Sequence, residues 1–145
     1  MSKPKTVLII DDDADFVRAI GALLASAGYT VDSAANGRDG LALAKQTLPD
    51  LILLDVMMTE RTEGFFTLQQ IRAVPALQRT PIIVASSIYT DQPVFKVNPE
   101  AGWLPADLFL PKPVDPARLI RESARLIAAA EAPAVEASEV GSASR

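Results

Sequence analysis

With 145 residues, 49% of them hydrophobic, the chain has the length of one domain and enough apolar material for a real core. It contains no cysteine and no histidine, which excludes disulfides, thiolate chemistry, Ser-His-Asp triads, imidazole zinc sites and any phosphohistidine of its own. The net charge of −4 gives no electrostatic footprint for nucleic acid, and no apolar run approaches a membrane span or a signal peptide. A cytoplasmic protein with neither a nucleic-acid nor a membrane partner is expected.

Thr6 to Ile10 reads as a first strand, fully apolar over Val-Leu-Ile-Ile, and it runs directly into Asp11-Asp12-Asp13. Phe16, Ile20, Leu23, Leu24 and Ala27 then recur at helical spacing, which predicts a helix over about Ala14–Ala27 with Gly28 as its left-handed cap. Helix capping accounts for Asp13, because an N-cap carboxylate satisfies orphan N–H groups. It does not account for three acids in a row.

Tyr29, Val31 and Ser33 alternate with Thr30 and Asp32, the pattern of a half-polar strand at a sheet edge. A second helix follows with Leu41, Ala44 and Leu48 facing inward, and Pro49 stops it. Leu51-Ile-Leu-Leu54 then leads into a lone carboxylate, Asp55. A continuous apolar run of this length is a strand buried on both faces, as in parallel sheets, and Asp55 stands at its carboxyl end. In open α/β sheets that edge is where ligands collect.

Glu60 to Glu63 is a polar loop, and Phe65, Leu68 and Ile71 mark a short third helix ending before Pro75. The fourth strand, Pro81–Ala85, is followed at once by the hydroxyls of Ser86 and Ser87. From Ser87 to Asp107 the residues Pro93, Pro99, Gly102 and Pro105 leave little room for a long regular helix, with breaks expected at Gln92 and Asn98. Phe95 and Trp103 are its large apolar residues, either packed down as staples or exposed for a protein contact. Leu108–Leu110 is a short fifth strand closed by Pro111-Lys112-Pro113. Asp115-Pro116 opens the last helix, whose inner face is Leu119, Ile120, Ser123, Leu126 and Ile127, to about Glu131. One domain over residues 1–131 and a disordered tail over 132–145 are expected.

Five strands alternating with helices imply a parallel sheet with helices on both faces. Side by side, the strand ends bring Asp11, Asp12, Asp55, Ser86 and Lys112 to one edge. Carboxylates so gathered repel, so either one takes up a proton or a cation sits among them. With only oxygen ligands on offer, Mg²⁺ suits the site, and a hydroxyl and an ammonium opposite it would complete a cradle for a phosphoryl group.

Over about Lys5 to Glu131 the chain resembles the receiver domains of two-component response regulators. The resemblance rests on Val-Leu-Ile-Ile-Asp-Asp-Asp, Leu-Ile-Leu-Leu-Asp-Val-Met-Met, Pro-Ile-Ile-Val-Ala-Ser and Leu-Pro-Lys-Pro, each weak alone but in the family's order. It implies a flavodoxin-like, doubly wound five-stranded sheet of order 2-1-3-4-5. It also implies that Asp55 is the phosphoacceptor, that Asp11, Asp12, Asp55 and the Met57 carbonyl hold Mg²⁺, and that Lys112 binds the phosphoryl group. Ser86 and Phe109 are the implied switch residues. Phosphorylation would come from a partner histidine kinase or histidine phosphotransfer protein and would alter a surface for an unknown output protein, on a monomer or weak dimer. Self-phosphorylation and autodephosphorylation would be the only chemistry. No DNA-binding domain follows in this sequence, which suggests a stand-alone receiver acting on another protein.

Departures from the family pattern are Thr59 where proline is usual, Gly64 one place late, and the divergent segment 87–107. Two alternatives remain at this point. A Mg²⁺-dependent phosphohydrolase of the haloacid dehalogenase type also uses a strand-end aspartate, but needs a second acid where Met57 stands. A pseudo-receiver would lack the acid pair or the lysine, and both are present.

Overall fold

The computed structural model describes residues 4–56, 63–86 and 106–131. The elements in chain order are β1 (Thr6–Ile10), α1 (Ala14–Ser26), β2 (Thr30–Ala34), α2 (Gly37–Thr47), β3 (Leu51–Leu54), α3 (Glu63–Arg72), a 3₁₀ turn (Pro75–Leu77), β4 (Ile82–Ser86), β5 (Leu108–Pro111) and α4 (Pro116–Glu131). The strands form one sheet in the order β2-β1-β3-β4-β5, every neighbouring pair parallel. The half-polar β2 does lie at an edge, and the fully buried β1, β3 and β4 are interior.

Alternation along the strands divides the core in two. Leu8, Ile10, Ile52, Leu54, Ile82 and Val84 face α2, α3 and the 3₁₀ turn through Ala44, Leu68, Ile71 and Leu77. Val7, Ile9, Leu51, Leu53, Ile83 and Ala85 face α1 and α4 through Ile20, Leu24, Leu119, Leu126 and Ile127. Covering both faces is what a parallel sheet requires, and burying each such side chain contributes about 1.5–3 kcal/mol.

Helix ends follow local chemistry. Asp13 caps α1 by accepting from the N–H groups of Asp15 and Phe16, and Gly28 turns the chain at φ 101°. Asn36 caps α2 through the N–H of Asp39. At the far end of α2 the inward placement expected for Leu48 fails. Leu48 is itself the cap, in the left-handed region at φ 49°, and is 53% exposed. Gly40 takes the inner position instead: a Cβ there would meet Ile10 Cδ1 at 2.6 Å, so α2 approaches the sheet as closely as it does only because this residue has no side chain.

Smaller differences have similar causes. Glu63 already belongs to α3 and Gly64 lies in its first turn. Ser86 is the last residue of β4, paired with Pro111, where a post-strand hydroxyl was expected. The residues Met57, Thr59, Phe95 and Trp103, most of the segment 87–107 and the tail 132–145 lie outside the described residues.

At the amino-terminal edge of the sheet, Arg72 ties several elements together. Its guanidinium donates to the carbonyls of Leu77, Gln78 and Thr80 at 3.0, 3.1 and 2.7 Å and pairs with Asp107 at 3.0 Å. Asp107 in turn accepts from the Ile82 N–H at 2.8 Å, so the entries to β4 and β5 share one anchor. Among the described residues no helix is long and apolar enough to cross a membrane.

Candidate functional site

The carboxyl edge of the sheet is assembled by main-chain bonds between neighbouring strand ends. The Asp55 N–H donates to the Ile10 carbonyl at 2.9 Å, the Asp11 N–H to Ala34 at 3.0 Å, and the Lys112 N–H to Ser86 at 2.8 Å. Asp55 therefore emerges beside Asp11, from the central strand, while Lys112 starts from beyond β4. These bonds bring together the five residues expected at this edge.

Asp11 and Asp55 are buried, at 2% and 5% exposure, and Asp12 is exposed. One carboxylate oxygen from each of the three lies within 4.8 Å of the others. Three hard oxygen donors fit Mg²⁺ or a similar divalent cation and suit a soft metal poorly. Asp11 is further held by accepting from the Asp13 N–H at 2.9 Å, so the residue after the acid pair both orients Asp11 and starts α1.

Lys112 stands among the acids themselves. Its Nζ lies within the cluster, 2.8 Å from Asp11 Oδ2 and 3.5 Å from Asp55 Oδ2, with the side chain 15% exposed. Ionised, the three carboxylates and this ammonium leave two net negative charges, which a divalent cation matches. The Asp11 carboxyl is raised above its ordinary value, chiefly by burial, while the hydrogen bond from Lys112 opposes the rise and the charge of Asp55 adds to it. Desolvation, ahead of the expected mutual repulsion, is thus the leading cause.

Ser86 is wholly buried at the end of β4. Phe109, half-buried on β5, packs against the α2–α3 side of the core. One further participant has no signature along the chain. The Phe16 ring lies under Lys112, with Nζ 4.1 Å from its centroid. Helical spacing marked Phe16 only as a core residue, and it does pack against the α1–α4 side of the core.

A doubly wound parallel sheet of this strand order, with an acid cluster and a lysine at its carboxyl edge, defines a flavodoxin-like α/β domain with its candidate site where such sheets bind ligands. A family model for the response regulator receiver domain matches residues 7–124, and the chain belongs to that family of two-component systems. The transcriptional regulatory protein DltR of Streptococcus agalactiae is 38% identical over 114 residues, 79% of this chain and 48% of DltR. Protein PilH of Pseudomonas aeruginosa is 33% identical over 115 residues, 79% of this chain and 91% of PilH. The receiver domain of the sensor histidine kinase PA1611 from Pseudomonas aeruginosa was solved with a magnesium ion coordinated in its active site cleft. It matches with a TM-score of 0.75 at 28% identity, covering 87% of this chain and 99% of that one. The chain spans about half the length of DltR, one of several curated relatives that extend well beyond it.

Proposed function

We propose that this domain is a phosphoacceptor of a two-component phosphorelay, with Asp55 as the residue that takes the phosphoryl group. The observation that carries this reading is the setting of Asp55: a nearly buried carboxylate at the end of a central strand, with two further acids within 4.8 Å and an ammonium at 3.5 Å.

In the proposed step an Asp55 carboxylate oxygen attacks phosphorus in line as the bond from phosphorus to the donor nitrogen breaks, and the electron pair leaves with that nitrogen. The chain has no histidine, so the donor is a phosphohistidine of a partner kinase or phosphotransfer protein. Asp11, Asp12, Asp55 and the Met57 carbonyl would hold Mg²⁺, which supplies charge neutralisation at the phosphoryl oxygens. Lys112, pivoting from Asp11, would pair with one phosphoryl oxygen, and Ser86 would donate its hydroxyl to another. Phe109 would follow Ser86, transmitting the change to a surface recognised by an output protein.

Incubation with acetyl phosphate and Mg²⁺ is expected to add one phosphoryl group by intact mass, and Asp55→Asn is expected to abolish it. Labelling that persists in Asp55→Asn overturns the assignment.

A further inference from the structure

Lys112 has three N–H donors and meets three surroundings. Two are carboxylates, Asp11 at 2.8 Å and Asp55 at 3.5 Å; the third is the face of Phe16, 4.1 Å from Nζ to the ring centroid. We propose that Phe16 is a positioning residue for the phosphoryl-transfer site, its aromatic face holding the Lys112 ammonium beside Asp55 while leaving its charge available to an incoming phosphoryl group. The proposal rests on the reading of Asp55 as phosphoacceptor and deepens it.

Partners compete for the Lys112 ammonium. A lysine carries a long flexible stem, and its ammonium is strongly hydrated, so an unrestrained Lys112 would spend time swung out into water. A third carboxylate in place of Phe16 would hold it, but would also neutralise it and compete with the phosphoryl oxygens. An aromatic face attracts the cation through the ring quadrupole and has no lone pair that binds its proton strongly. It therefore restrains without neutralising. When a phosphoryl group arrives on Asp55, the ammonium, 3.5 Å from Asp55 Oδ2, can turn an N–H to a phosphoryl oxygen while the ring still backs it.

The local sequence supports this placement. Asp13 accepts from the Phe16 N–H at 3.2 Å and its own N–H donates to Asp11. The capping turn that orients the metal-facing acid thus also sets the first turn of α1 and the ring on it. Phe16 also packs against the α1–α4 side of the core, which fixes the ring to the body of the domain. Acid, cap and ring are one short unit delivered from the end of β1, and the lysine comes to it from beyond β4.

Two readouts on one variant set test the proposal. In the metal-free protein, ring current should shift the Lys112 Hε resonances upfield in wild type, and the shift should vanish in Phe16→Leu and Phe16→Met, which keep apolar bulk without a π face. In acetyl phosphate labelling with saturating Mg²⁺, both variants should react about three- to tenfold more slowly, in line with a partly desolvated cation–π contact. Phe16→Trp should restore both the shift and the rate. If the aliphatic variants melt below the assay temperature, the comparison runs between Phe16→Trp, Phe16→Tyr and wild type, with Trp giving the largest shift and a rate at least equal to wild type. Equal rates in aromatic and aliphatic variants, a Phe16→Trp as slow as Phe16→Leu, or a Lys112 signal that ignores the ring overturns the proposal. A wild-type protein that does not label at Asp55 defeats the phosphoacceptor reading instead, while the metal-free resonances still decide whether the ring holds the lysine.

Discussion

Lys112 reaches from beyond β4, over the end of β3, to bond Asp11 at the end of β1, 101 residues away in sequence, at 2.8 Å. This contact makes the lysine part of the metal-free fold as well as of the proposed chemistry. Removing it leaves two buried carboxylates without their cation, which is expected to destabilise the metal-free domain by about 2–3 kcal/mol. Lys112→Ala should therefore melt lower in EDTA, yet gain more from Mg²⁺ than wild type does, because the cation then replaces a missing charge. Thermal melts with and without Mg²⁺ check this; an equal or smaller Mg²⁺ shift in the variant contradicts it.

Asp11 also predicts a pH dependence. Its folded value is raised from 3.8, so between 3.8 and the folded value the native state binds more protons than the unfolded one. Stability from this group falls as pH rises through that window and stays low above it. Asp11→Asn lacks the effect. Its melting temperature minus that of wild type, in EDTA, should become more positive as pH rises from 3.8 and then level off. A difference that is flat or moves the other way is inconsistent with burial raising the Asp11 carboxyl. Mg²⁺ binds the ionised form and should stabilise wild type more at neutral pH than near pH 4, by mass action.

Gly40→Ala should lower stability although alanine favours helix by about 1 kcal/mol. The new Cβ would lie 2.6 to 2.9 Å from three atoms of Ile10, and overpacking of this kind costs about 1–3 kcal/mol. Ile10 immediately precedes Asp11, so Mg²⁺ affinity should weaken alongside. A higher melting temperature in Gly40→Ala would show that Ile10 yields freely.

The Arg72 anchor should be among the most sensitive polar positions. Arg72→Ala deprives three carbonyls of a donor and Asp107 of its cation, an expected loss of about 3 kcal/mol or more. Asp107→Asn keeps an oxygen for the Ile82 N–H and should cost less. Urea titrations that reverse this order would refute the anchor.

Much of this architecture is local in origin and could be read from the chain alone. Uninterrupted apolar runs such as Val7–Ile10 and Leu51–Leu54 mark strands covered on both faces, and Asp11 and Asp55 mark the carboxyl edge of the sheet because each breaks such a run with a charge. The half-polar β2 declares itself an edge for the same reason. What tertiary structure decided are the relations across strands. The register of β5 against β4, shared with the Arg72–Asp107 anchor, sets where Lys112 begins, and the lysine's flexible stem lets it reach into the acid cluster as far as Asp11. Helical periodicity marks Phe16 and Leu48 alike as inward, since it reports an angle around an axis and not what lies at that angle. Only the strand order, which brings Lys112 to a ring 96 residues earlier in the chain, put a lysine over the first, and only the turn at the end of α2 made the second an exposed left-handed cap.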